Sequence, residues 1–137
     1  MNDAIPTVFI VDDDPAVRDA ISLLLKTDGL VVATFPSAAA FLESAAAQQP
    51  GCLVLDVRMP GMGGLDLQKR LRARGCQTPI LFITGHGDVP MAVATLKKGA
   101  FHFIEKPFND HDLVDLVEKA LALDAERQRA AASRETI

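Results

Sequence analysis

Apolar runs of about five residues punctuate the chain: Thr7 to Val11, Val31 to Phe35, Cys52 to Asp56, Ile80 to Thr84 and Phe101 to Glu105. Each has the length of a strand and is rich in β-branched or aromatic residues. They are mostly continuous rather than alternating, which is the pattern of strands covered on both faces, as in parallel sheets. Between them the apolar positions change to helical spacing. Asp14 followed by Pro15 reads as an N-cap and first helical residue, and Val17, Ile21, Leu24 and Leu25 share one face until Gly29 ends the helix. Ser37 predicts the start of a second helix that carries Phe41, Leu42 and Ala45 and closes near Pro50 and Gly51. A third spans Leu65 to Arg74 before Gly75, and a fourth runs from Pro90 to Lys98 before Gly99. Asn109, with Asp112 three residues later, predicts a capped fifth helix whose Leu113, Leu116, Val117, Ala120 and Leu121 form one stripe.

Five strand-helix units in 137 residues predict an α/β fold. The expected form is an open, doubly wound, flavodoxin-like (βα)5 arrangement, a five-stranded parallel sheet of order 2-1-3-4-5 with right-handed crossovers. A closed eight-stranded barrel would need about 250 residues. This architecture is complete by Leu123, so residues 1–123 are expected to form one domain. Residues 124–137, with three acidic and three basic charges and an alanine run, read as a solvated helical extension or the start of a linker.

Composition narrows the function classes. Hydrophobic residues at 49% and charged residues at 23% exclude disorder and collagen-like repeats. A net charge of −4 and a pI near 5.2 argue against a domain that itself grips nucleic-acid phosphates. Cys52 and Cys76 are too few for a disulfide framework and lack zinc spacing, so reduced thiols in the cytoplasm are expected. No run approaches the roughly 20 apolar residues that span a bilayer, and no signal-peptide core follows the N-terminus, so neither a membrane role nor export is expected.

In such a sheet, ligands bind beyond the carboxyl ends of the strands. There the first strand ends in Asp12, Asp13 and Asp14, the third in Asp56, the fourth in Thr84 and the fifth in Lys106. Strands one and three are neighbours at the switch point, which brings Asp12, Asp13 and Asp56 together. Three carboxylates repel one another unless they hold a cation, and oxygen-only ligands suit Mg2+ rather than zinc. Lys106 and Thr84 add a cation and a hydroxyl donor, the groups wanted around an anion. The set suits attack by Asp56 on phosphorus to give an aspartyl phosphate. Each residue alone has a plainer reading: Asp14 as a helix cap, Asp12 or Asp13 as a turn residue, Thr84 as a strand-end hydroxyl, Lys106 as a solvated charge. It is their convergence from four strand ends that favours chemistry. His86, His102 and His111 are too scattered to form a ligand set, although His86 is placed to border the pocket. The run Met59 to Gly64 lacks both P-loop and dinucleotide-loop spacing and reads as a flexible turn beside Asp56.

Four segments, VFIVDDD (Val8 to Asp14), LVLDVRMPGMGG (Leu53 to Gly64), ILFITGHGD (Ile80 to Asp88) and GAFHFIEKPF (Gly99 to Phe108), resemble the receiver domain of bacterial two-component response regulators. The resemblance covers Thr7 to Leu123. The stretch T-G-H-G-D-V-P-M-A-V is similar to the FixJ-type subfamily of the LuxR/NarL-like output class, which usually continues into a helix-turn-helix domain. The resemblance implies that Asp56 is the phosphoacceptor. It also implies that Asp13, Asp56 and the backbone carbonyl of Arg58 ligate Mg2+ directly, with Asp12 acting through water. Lys106 would contact the phosphoryl group and precede a cis bond to Pro107, while Thr84 and Phe103 would be the switch residues; Phe103 alone reads more readily as core packing. Gly85 falls where alanine is also common in the family, and Arg58 and His86 fall where residue identity tunes dephosphorylation.

The function implied is Mg2+-dependent phosphoryl transfer from a sensor histidine kinase to Asp56. This would reshape the surface of the fourth helix, fifth strand and fifth helix, including Met91, Val93, Phe101 and His111 to Lys119, to promote a homodimer. DNA would be bound only through an output domain outside this chain. In these terms the protein is a signalling phosphoacceptor, catalysing its own phosphorylation and slow dephosphorylation, rather than an enzyme with an external substrate. Rival readings fare worse. A magnesium phosphohydrolase with an aspartyl nucleophile would place an acid where Arg58 stands. A flavin module is weakened by the absence of tryptophan and tyrosine, and a scaffold that is never phosphorylated leaves the acidic set and Lys106 without a role.

Overall fold

The computed structural model describes residues 5–85 and 88–135. His86, which the sequence places beside the pocket, lies outside the described residues. The chain alternates β1 (Thr7–Val11), α1 (Pro15–Thr27), β2 (Val32–Phe35), α2 (Ala38–Glu43), a 3-10 turn (Ala45–Gln48), β3 (Gly51–Asp56), α3 (Gly64–Ala73), β4 (Ile80–Thr84), α4 (Val89–Lys97), β5 (His102–Glu105) and α5 (Asp110–Glu135). All strand pairs are parallel, in the order β2-β1-β3-β4-β5, as expected. Among the described residues no helix is long and apolar enough to cross a membrane.

The continuous apolar runs supply two cores because successive strand residues face opposite sides. Phe9, Val11, Leu53, Leu55, Ile80 and Phe82 pack on one face with Phe41, Leu67 and Leu71. Val8, Ile10, Cys52, Val54, Leu81 and Ile83 pack on the other with Ile21, Leu25, Leu113 and Val117. Both cysteines are free thiols; burial, with Asp124 nearby, pushes Cys52 up to about 12.

Two elements depart from the sequence expectation. The predicted second helix is broken at Ser44, whose hydroxyl donates to the Phe41 carbonyl at 2.7 Å and accepts from the Ala46 N–H at 3.1 Å. A serine that offers the backbone this alternative ends one helix and caps the next turn. Beyond Leu123 the helix continues to Glu135, and its first residue there is not solvated. Asp124 is 5% exposed, its carboxylate accepts the Gly51 N–H at 2.8 Å, and Arg127 donates to the Gln77 carbonyl at 2.8 Å. The charges that read as a solvated face thus begin with a tertiary contact, and α5 crosses Leu123 without a break.

Candidate functional site

The parallel register of β1 and β3, which pairs Val11 with Leu55, brings the next residues, Asp12 and Asp56, to one edge of the sheet. Carboxylate oxygens of Asp12, Asp13 and Asp56 all lie within 4.8 Å of one another. Asp12 is 2% exposed; one of its oxygens accepts the Asp14 N–H at 2.9 Å, and Oδ2 is buried with no partner. Asp13 is exposed. The Asp14 carboxylate accepts from the Ala16 N–H at 2.9 Å, so it caps α1 and stands outside the cluster, as its sequence context predicted.

Asp56 Oδ1 accepts the N–H of Arg58 at 3.0 Å, and Oδ2 lies 4.0 Å from Lys106 Nζ. Burial raises both buried acids. Asp56 reaches about 6: the Arg58 N–H and Lys106 pull it down, while Asp12 and Asp13 push it up. Asp12 is also raised, mainly by burial. An orphaned buried oxygen beside carboxylates that resist ionising is a site short of positive charge. Its donors are all hard oxygens, so the residues fit a hard divalent cation.

The other strand ends complete the site. Lys106 is held by its own N–H, which donates to the Thr84 carbonyl at 2.8 Å, and the Lys106–Pro107 bond is cis. Thr84 is fully buried, with its hydroxyl donating to the Gly85 carbonyl at 3.4 Å. Phe103, directly across from Phe82 in the β4–β5 register, is half-buried and packs against the core beneath α3 and α4. His102 and His111 are exposed; His102 bonds to the Phe103 main chain and its ring lies beside those of Phe101 and Phe103, and the His111 N–H donates to Asn109 Oδ1.

Two features of the site were not read from the sequence. The glycine-rich run is not simply a flexible turn. Gly64 is buried so tightly that a methyl on it would lie 2.6 Å from the Asp56 carbonyl oxygen and 2.9 Å from Phe82 Cε1. Arg58, besides its main-chain bond to Asp56, ion-pairs through Nε with Asp88 Oδ1 at 2.8 Å. Asp88 stands at the N-cap of α4, and its place two residues before Pro90 is the signal that marks it as a helix-start residue.

Comparison with known proteins agrees with this geometry. Residues 8–118 match the model of the response regulator receiver domain. Response regulator protein TmoT of Ectopseudomonas mendocina is 49% identical over 131 residues, covering 96% of this chain and 60% of that protein. The transcriptional regulatory protein FixJ of Azorhizobium caulinodans is 44% identical over 137 residues, covering 100% of this chain and 64% of that one. The chain therefore spans about 60% of the length of the curated relatives it matches. Among solved structures, the response regulator StyR superposes with a TM-score of 0.91 at 49% identity, over 97% of this chain and 67% of StyR. The structure titled FixJ-N gives 0.81 at 44% identity, over 89% of this chain and 96% of that one. With this sheet order, this acidic edge and these relatives, the chain belongs to the response regulator receiver domains, the phosphoacceptor modules of two-component signalling.

Proposed function

We propose that Asp56 is the residue phosphorylated, that the donor is the phosphohistidine of a sensor histidine kinase, and that the transfer depends on Mg2+ held by Asp12, Asp13, Asp56 and the Arg58 carbonyl. The observation that carries the reading is the meeting of three carboxylates within 4.8 Å, with one oxygen of the central Asp56 only 4.0 Å from a lysine. An Asp56 carboxylate oxygen attacks phosphorus, the P–N bond breaks, and its electron pair returns to the imidazole nitrogen, which takes up a proton. Lys106 draws the phosphoryl oxygens toward Asp56 and offsets the charge brought in beside three acids. Bound Mg2+ supplies the remaining charge neutralisation at those oxygens.

The switch follows from the same contacts. The Thr84 hydroxyl, which donates to the Gly85 carbonyl across a long 3.4 Å, turns to the phosphoryl group, and Phe103 moves into the space it leaves. The α4-β5-α5 surface changes with them because packed cores are bistable rather than continuously deformable. Exposed Val93 and Leu96 on α4 give that surface apolar area for a phosphorylation-dependent homodimer. The name of FixJ as a transcriptional regulatory protein supports a cytoplasmic protein that acts on DNA through an output domain outside these residues.

Intact-mass measurement after incubation with acetyl phosphate and Mg2+ tests the assignment. One added phosphoryl group in the wild type and none in Asp56→Asn is the expected result; equal modification of the two overturns it.

A further inference from the structure

Arg58 grips the site at two points. Its main-chain N–H donates to Asp56 Oδ1 at 3.0 Å, which anchors the residue beside the phosphoacceptor, while its guanidinium crosses to Asp88 at 2.8 Å. The side chain is 67% exposed and has no other polar partner among the described residues, so nothing but Asp88 fixes where the charge sits. Asp88 is the less ordinary half of the pair. It occupies the N-cap of α4 yet caps nothing with its side chain, whereas Asp14 and Ser37 at the N-caps of α1 and α2 both do. The first turn of α4 is Val89, Pro90 and Met91, and because proline has no N–H the Met91 N–H is the donor that an Asp88 cap would take. Arg58 thus holds away from the helix a carboxylate that the helix is built to use.

We propose that Arg58 changes partners on phosphorylation, leaving Asp88 for the phosphoryl oxygens on Asp56 and so freeing Asp88 to cap α4. The exchange rests on the reading of Asp56 as phosphoacceptor. Both new contacts favour it. A phosphoryl group carries more charge than a carboxylate and matches the guanidinium fork, so it outcompetes Asp88 for a side chain already tethered beside it. The released carboxylate gains the Met91 N–H and the positive end of the α4 dipole. The resting pair is weak enough to give way because one partner is mostly in solvent. Asp88 is thereby a positioning residue that reports the state of Asp56 to the start of α4, alongside Thr84 and Phe103.

The test is a double-mutant cycle on fluoroberyllate affinity in Mg2+, with Asp88→Asn, Arg58→Gln and the double variant. Asp88→Asn removes the competitor but also the capping gain tied to its release, so it is expected to shift binding by no more than roughly fivefold, the size of an exposed ion pair or a helix cap. Arg58→Gln loses the phosphoryl contact as well as the strap and is expected to weaken binding. In that background Asp88→Asn is expected to change nothing. The second readout is amide hydrogen exchange at Met91, expected to slow when fluoroberyllate binds the wild type and to respond less in Asp88→Asn, whose cap is no longer tied to Arg58. An Asp88→Asn effect that survives Arg58→Gln, or Met91 exchange indifferent to fluoroberyllate in the wild type, would each overturn the exchange. Wild-type protein that binds no fluoroberyllate, or Asp56→Asn that still accepts phosphate, would instead overturn the phosphoacceptor reading.

Discussion

Lys106 Nζ stands 4.0 Å from Asp56 Oδ2, at the outer edge of ion-pair distance, so this lysine does not balance the three carboxylates. Burial and the two acidic neighbours raise Asp56 to about 6 in spite of the lysine. The folded state therefore binds more protons than the unfolded chain between about pH 4 and pH 6, and stability falls as pH rises through that window. Above it the metal-free fold carries a destabilising charge. Asp56→Asn keeps an oxygen for the Arg58 N–H and removes that charge. It is expected to stabilise metal-free protein by roughly 1–3 kcal/mol near pH 7 and by much less near pH 4. Urea denaturation at the two pH values, in the presence of a chelator, checks this; a variant no more stable than wild type at neutral pH refutes it.

The same excess charge makes the fold sensitive to divalent cations. A ligand that binds only the native state stabilises it by RT ln(1 + [L]/Kd), so Mg2+ is expected to raise Tm in proportion to the logarithm of its concentration. Near pH 5 protons compete for Asp56, whose value is about 6, and the increment shrinks. Asp13→Asn, altering an exposed member of the acidic cluster, is expected to remove most of the increment while leaving the chelator-treated Tm close to wild type. Thermal scans across a Mg2+ series decide it, and an undiminished Mg2+ response in Asp13→Asn would exclude this residue from the metal site.

Gly64 ties the site to the core. A methyl there meets the Asp56 carbonyl at 2.6 Å and Phe82 at 2.9 Å, neither of which is a mobile chain end. Gly64→Ala is expected to cost roughly 1–3 kcal/mol, as overpacking does, and to weaken Mg2+ binding by displacing the end of β3. Gly63→Ala, one residue earlier and with nothing nearer than 3.7 Å, is the matched control and is expected to do neither. Equal denaturation midpoints for the two variants would contradict the close approach.

What could be read from sequence, and what could not, divides along the range of the interactions. β1 and β4 begin and end where their apolar runs do, and the other strands differ by one residue at their starts, because continuous burial by helices on both faces selects those runs directly. Asp12, Asp13, Asp56, Thr84 and Lys106 were legible as a group because parallel topology sends every strand end to one edge. The break at Ser44 was not, since a serine in an alanine-rich segment is ambiguous until its hydroxyl chooses a backbone partner. Asp88 and Gly64 were missed for a different reason. Their partners come from loop paths and from β4, which no local pattern encodes.

Asp124 is the strongest case of that kind, because its partner, the Gly51 N–H, lies 73 positions earlier, at the start of β3. Gly51 has a φ of 143° and no room for a side chain against the Thr7 backbone, and its N–H donates across to α5. α5 supplies a carboxylate that is 5% exposed and raised mainly by burial, with the Gly51 bond opposing the rise. Two substitutions separate the hydrogen bond from the charge. Asp124→Ala strands a buried donor and is expected to cost roughly 1–3 kcal/mol. Asp124→Asn retains an acceptor without a buried charge, and is expected to equal or exceed wild-type stability near pH 7, where the raised acid is ionised at a cost. In Asp124→Ala, amide exchange is also expected to quicken at Gly51 and through residues 125–130 of α5, while α1 and β4 lose protection only in step with global stability. Local loss confined to those two segments would establish Asp124 as the point that fastens the distal half of α5 to the sheet; uniform loss, or none, would refute it.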